Sequence, residues 1–200
     1  MTQSKFTEVD NIPFETLVPE QVLVLPKKNL IQKLSDIGKH LSKPPLHRSP
    51  VYPVEIGIRI TNNSDRSLYF SFNLTLFPEL IRAETGEVVE ISGGWISLAG
   101  ALESDLPLTM PGESTSFFID AKICWLCGKN YGLSTIISGG QFIFKPLDLG
   151  WYKLRFTYQN QKEAIQLYGS IFKKNQVIEG LWTGQVLTPF VDIFLVTNQS

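Results

Sequence analysis

From Pro53 onward, apolar and polar residues alternate one by one, and this pattern limits the fold more tightly than any other feature of the chain. Val54, Ile56, Ile58 and Ile60 are interleaved with Glu55, Gly57, Arg59 and Thr61. Successive side chains of an extended strand point to opposite faces, so this spacing gives one apolar face to bury and one face that water can cover. Asn62, Asn63, Ser64 and Asp65 follow, whose short side chains bond their own backbone and favour a turn. In residues 67–77, Leu68, Phe70, Phe72, Leu74 and Leu76 share one side, opposite Tyr69, Ser71, Asn73 and Thr75. The two runs are expected to pair as an antiparallel hairpin.

The period of two returns down the chain. Thr85-Gly86 is expected to turn the chain between residues 80–83 and 87–91, and Pro111-Gly112 suits the centre of a type II turn. Residues 114–125 carry Phe117, Ile119, Ala121, Ile123 and Trp125 on one face. After Gly150, Tyr152, Leu154, Phe156 and Tyr158 oppose Lys153, Arg155, Thr157 and Gln159. The last strand region, residues 181–196, is interrupted by Pro189, which implies a bulge or an edge strand that changes partner. Residues 92–107, 129–141 and 161–180 read as long connections, where function is more often carried than in cores. Short alternating strands with no helical pattern between them predict an all-β antiparallel sandwich or barrel.

The start of the chain is different. Pro13, Pro19, Pro26, Pro44, Pro45 and Pro50 lie ahead of Pro53, and proline removes the N–H that a ladder or helix needs. The expected division is a Pro-rich N-terminal arm, residues 1–49, followed by a sandwich, residues 50–200. Within the arm, residues 21–25 suit an edge strand. Residues 29–41 set Leu30, Ile31, Leu34, Ile37 and Leu41 at helical spacing behind Asn29 as N-cap, so a short helix is expected there. Lys27, Lys28, Lys33, Lys39, Lys43 and Arg48, against Asp36, make it basic. Such a stripe either packs on the sandwich or docks on an anionic membrane surface or an acidic protein partner.

Four phrases carry a resemblance: VEIGIRITNNSDRSLYFSF at 54–72, PGES at 111–114, LDLGWYKLRFTYQN at 147–160 and LWTGQVLTPFVDIFLV at 181–196. Together, over about residues 51–196, they resemble a family of uncharacterised immunoglobulin-like β-sandwich proteins found in cyanobacteria. The resemblance implies an immunoglobulin-like fold and no activity, since many functions live on that architecture. In its LxxGxYxLRF phrase this chain has Leu147, Gly150, Tyr152, Leu154, Arg155 and Phe156. Gly150 would let the chain turn into a strand, and Tyr152 would sit at a sandwich corner with its hydroxyl bonded back to backbone.

Charge and composition narrow the function classes. A net charge of −1 offers no global positive field for a nucleic-acid backbone, so no nucleic-acid partner is expected. No apolar run reaches the ~18 residues that a membrane-spanning helix needs. Residues 1–10 lack the basic, apolar, small-residue order of a signal peptide, and Cys124 and Cys127 are too few for a disulfide scaffold, so a cytoplasmic setting is expected.

Cys124-Trp125-Leu126-Cys127 is the one motif that invites a reaction, since a CxxC pair can be a redox centre or half of a zinc site. It ends a strand rather than opening a helix, and the chain has no second pair, so structural cysteines are expected. His40 and His47 lie in the arm without a recognisable nucleophile nearby and read as solvated. Glu84 with Glu87, and Glu103 with Asp105, have the spacing of carboxylate pairs but sit where turns are expected. No cofactor is expected. The candidate contact residues are Leu30, Lys33, Leu34, Ile37 and Leu41 in the arm, Trp95 in a loop, and Trp151, which alternation turns away from the core. The leading expectation is a non-enzymatic binding or scaffold module, monomeric or dimeric. A carbohydrate-binding sandwich using exposed tryptophans is the alternative, and a CxxC redox protein is third.

Overall fold

The computed structural model describes residues 5–25, 51–91, 101–125, 130–137, 140–167 and 176–197. Two sheets face each other across a shared apolar core. The larger has six strands in the order β1 (Thr7–Val9), β2 (Ile12–Leu17), β4 (Val51–Thr61), β8 (Ser114–Trp125), β9 (Tyr131–Ile137) and β10 (Gly140–Leu147), all antiparallel. The smaller is built on β11 (Gly150–Asn160). On one side β11 pairs with β6 (Leu76–Arg82), and on the other with β14 (Gly184–Leu187) and β15 (Val191–Thr197). β3 (Val22–Leu25) then adds parallel to β15. Two short pairs lie outside these sheets: β5 (Leu68–Tyr69) with β7 (Leu108–Thr109), and β12 (Ala164–Leu167) with β13 (Gln176–Glu179).

Alternation locates β4, β8 and β11 correctly. On β11, Tyr152, Leu154, Phe156 and Tyr158 are buried, and the residues between them are not. The expected hairpin between residues 54–60 and 67–77 does not form. β4 is paired along its length with β8, from Val51 opposite Cys124 to Thr61 opposite Ser114. The reason lies at Asn62, which is fully buried. Its Nδ2 donates to the Arg66 and Thr109 carbonyls at 2.8 Å each, and its Oδ1 accepts from Ser64 N and Oγ. This turn sends the chain across to the other sheet. Residues 67–77 then break at Leu74, whose φ of 58° no continuous strand adopts, and β6 begins at Leu76.

Residues 5–25, expected within the arm, pair into both sheets. Asp10 and Asn11, with φ of 54° and 61°, close a tight β1–β2 hairpin. β2 then pairs with β4 and buries Phe14 completely, while β3 crosses to the smaller sheet. The prolines punctuate these strands rather than forbid them: Pro13 is near the sheet edge opposite Glu8, Pro19 lies between β2 and β3, and Pro26 follows β3. The helix expected at residues 29–41 lies outside the described residues. Residues 129–141, expected as a connection, contain β9, which is buried on both faces and so shows no alternation. Residues 161–180 contain the β12–β13 hairpin, which covers a small cluster of Ala101, Leu106, Leu167 and Leu181.

The interruption at Pro189 is a bulge on a strand that keeps its partner. β14 meets residues 157–160 of β11, β15 meets residues 150–154, and Thr188 fills the gap. The Thr188 hydroxyl accepts from Phe156 N at 2.9 Å and reaches the Phe156 carbonyl at 3.2 Å. It also meets the Thr16 hydroxyl at 2.6 Å, tying β2 of the larger sheet to the smaller one.

Candidate functional site

Among the described residues, a cavity between the sheets measures about 10 Å³, room for at most one water, and is lined by apolar side chains including Leu23, Ile56, Leu133 and Leu195.

The outer face of the smaller sheet is where side chains are built into a surface. β11 presents Trp151, Lys153 and Arg155 there because its even-numbered neighbours fill the core. Register then decides what flanks them. Trp151 stands opposite Phe194 and Lys153 opposite Asp192 on β15, while Arg155 stands opposite Glu79 on β6 and Val22 of β3 stands opposite Phe194. The rings of Trp151 and Phe194 stack at 4.5 Å and 22°. Val22, Phe194 and Trp151 thus form an apolar row across three strands, with Val22 46% and Trp151 47% exposed. Beside it, Arg155 Nε and Nη2 both donate to Glu79 Oε2 at 2.7 Å, and the guanidinium lies 4.2 Å over the Phe190 ring. A stacked pair and a pinned arginine make a rigid platform, aromatic at the centre and charged at the margin.

Next to this platform the chain turns a corner. The Tyr152 hydroxyl donates to the Asp148 carbonyl at 3.0 Å and accepts from Asp148 N at 3.0 Å and Arg82 Nη1 at 3.1 Å. Arg82 also donates to the Pro146 carbonyl at 3.1 Å. Burial, the largest influence, pushes the Tyr152 phenol above its usual range, so it stays a neutral structural anchor.

The other candidates resolve as follows. Cys124 is half-buried, its thiol donating to the Gly132 carbonyl at 3.6 Å. Desolvation raises its pKa against the weaker pull of Lys122, the wrong direction for a thiolate nucleophile or metal ligand. Cys127 lies outside the described residues. Among the described residues no group of His, Cys, Asp or Glu is placed to hold a metal ion. Asp105 accepts from Leu102 N at 3.0 Å and caps the 3-10 turn Glu103–Asp105, and Glu87 lies 3.9 Å from Arg82. Among the described residues no helix is long and apolar enough to cross a membrane.

Trp151 is exposed, as alternation indicated. Leu30, Lys33, Leu34, Ile37, Leu41 and Trp95, with His40 and His47, lie outside the described residues. Sequence reasoning missed Val22 and Phe194 as surface residues. Phe194 is out of phase with the buried Ile193 and Leu195, which was a signal, but only the register of three strands reveals the row. No protein-family model, no curated protein and no solved structure matches this chain.

Proposed function

We propose that this chain is a non-enzymatic, cytoplasmic binding module whose contact surface for a protein partner is the outer face of the smaller sheet. The row Val22–Phe194–Trp151 carries the reading. Apolar side chains on a solvent face add nothing to the core, and an aromatic centre with a charged margin is the anatomy of a protein–protein contact. The immunoglobulin-like assignment belongs to the same proposal. It is supported by the Tyr152 corner, a device of such sandwiches, and by the pairing of β11 with β6 on one side and β15 on the other. The β8–β9–β10 meander departs from it, because there the strand beyond β8 follows it in the chain, whereas the immunoglobulin order has D before E.

Placing the photo-crosslinker benzoylphenylalanine at Val22 should capture, in cells, a discrete protein other than a second copy of this chain, and Trp151→Ala should abolish that species. The same crosslinker at exposed Ser116 on the larger sheet should not capture it. Equal capture from both faces, or capture indifferent to Trp151→Ala, overturns the reading. Because Trp151 is only half-buried, its replacement should change stability by no more than about 1 kcal/mol. A carbohydrate ligand is the second reading, favoured by the exposed indole that Phe194 holds in place. Glycan-array binding lost on Trp151→Ala supports it, and an array without binding removes it.

A further inference from the structure

We propose that this chain self-associates through the edge of β3 that no described residue pairs, two copies pairing antiparallel about a two-fold axis so that their smaller sheets join. The inference stands apart from the outer-face reading above and would survive its failure.

A sheet edge presents unpaired N–H and C=O groups, and natural chains blunt it with charge, proline, shortness or a covering segment. The other edges here are blunted. β1 spans three residues with exposed Glu8 at its centre. β6 carries Pro78 and Glu79, and its far side is taken by the Ile81–Val88 bridge and by Val89 N donating to the Leu80 carbonyl at 2.9 Å. β10 carries Pro146, with Ile91 bridged to Phe144 and Lys145 N donating to the Glu90 carbonyl at 3.2 Å. β14 reads Gly-Gln-Val-Leu and is also uncharged, but β1 lies beside it. β3 reads Val-Leu-Val-Leu, without charge or proline, and among the described residues it has a partner on one side only.

The hydrogen-bond direction says what fits that edge. Phe194 N donates to the Gln21 carbonyl at 2.7 Å. In a parallel ladder that phase turns the N–H and C=O of Leu23 and Leu25 toward β15, and those of Val22 and Val24 to the free side. An antiparallel second copy then has one workable register, with Val22 facing Val24 of the other copy and Leu23 on the axis. A one-residue slip sets outward side chains against inward ones. A two-residue slip sets Val22 against Pro26, which has no N–H, and the opposite slip sets Val24 against Glu20, ahead of the strand.

The occupant is a second copy because the edge complements itself. Every facing residue from Gln21 to Leu25 is uncharged, so no like charges meet across the axis and no charged segment finds a counter-ion. Valine lies beside valine on the outer face, extending the row Trp151–Phe194–Val22 toward Val24 and Val196 of the other copy. Leucine lies beside leucine inside. Among the described residues each copy has one such edge, so the pairing closes as a dimer instead of growing into a fibre.

Sedimentation equilibrium of the full chain between about 1 and about 100 μM, the range in which a moderate dimer dissociates, should show monomer and dimer in exchange. Val24→Pro removes an outward N–H that β15 does not use, and Val22→Lys places a charge at the edge. Each should weaken the dimer at least about tenfold while leaving circular dichroism unchanged, and if the proline variant does not fold the lysine variant decides. The Val22 and Val24 amides should exchange faster on dilution. A monomer throughout the range, or a dimer indifferent to the variants, overturns the proposal. So do Val22 and Val24 amides that are protected at every concentration, which would mean that the chain's own residues cover the edge.

Discussion

Tyr152 and Tyr158 stand on the same face of β11 with opposite hydrogen-bond balances. Tyr152 is held by three polar groups, whereas among the described residues none meets the buried Tyr158 hydroxyl at hydrogen-bonding geometry, although the Ser71 backbone and Thr75 hydroxyl lie near enough to act on its charge. Tyr152→Phe strands Arg82 and Asp148 and should lower unfolding free energy in urea by about 1–3 kcal/mol. Tyr158→Phe leaves nothing unpaired and should be neutral or stabilising. Burial raises the pKa of Tyr131, Tyr152 and Tyr158 alike. Their contribution is therefore complete below the unfolded phenol pKa of about 10 and is lost as pH climbs toward the higher folded values. Urea midpoints should fall above about pH 10, and less steeply in Tyr158→Phe. Gly57 is the residue where a backbone allows no substitute: a Cβ there would meet the Phe117 carbonyl oxygen of the paired strand. Gly57→Ala should cost about 1–3 kcal/mol by the same measurement, through displaced strands.

Among elements, half-buried strands were legible and fully covered ones were not. β4, β8 and β11 each keep one wet face, so their sequences alternate and their positions can be read directly. β9 is covered on both faces, and Gly132, Ser134 and Thr135 within it look like loop residues until their neighbours are known. Pairing was legible at the Thr85-Gly86 turn, across which Ile81 bridges Val88, but not between the long strands. Which strand lies beside β4 depends on the buried Asn62, whose side chain sets the chain's direction through contacts with Arg66 and Thr109 that no local pattern announces. The same limit hid the candidate site: Trp151 could be turned outward from its own strand, but Phe194 and Val22 join it only through register. The Thr188 bulge belongs to this scale too. Thr188→Val removes the bonds to Phe156 and Thr16 and should destabilise by about 1–3 kcal/mol, with the loss seen as faster amide exchange where β14 passes into β15.

For the whole molecule, residues 5–25 matter beyond their number. β2 completes the larger sheet, β3 completes the smaller, and Phe14 between them packs on Phe70, Tyr158 and Trp182 at ring distances of 6.5, 5.5 and 5.1 Å. One short segment therefore joins both layers of a single core, and the outer-face platform ends on its Val22. Amide hydrogen exchange over β2 and β3, read beside β11 in the same experiment, tests this most directly. The inward amides of β2 and the β15-facing amides of Leu23 and Leu25 should open with the same free energy as the centre of β11, in one cooperative unit. Exchange of residues 12–25 at the rate of an unstructured chain, while β11 stays protected, would contradict it.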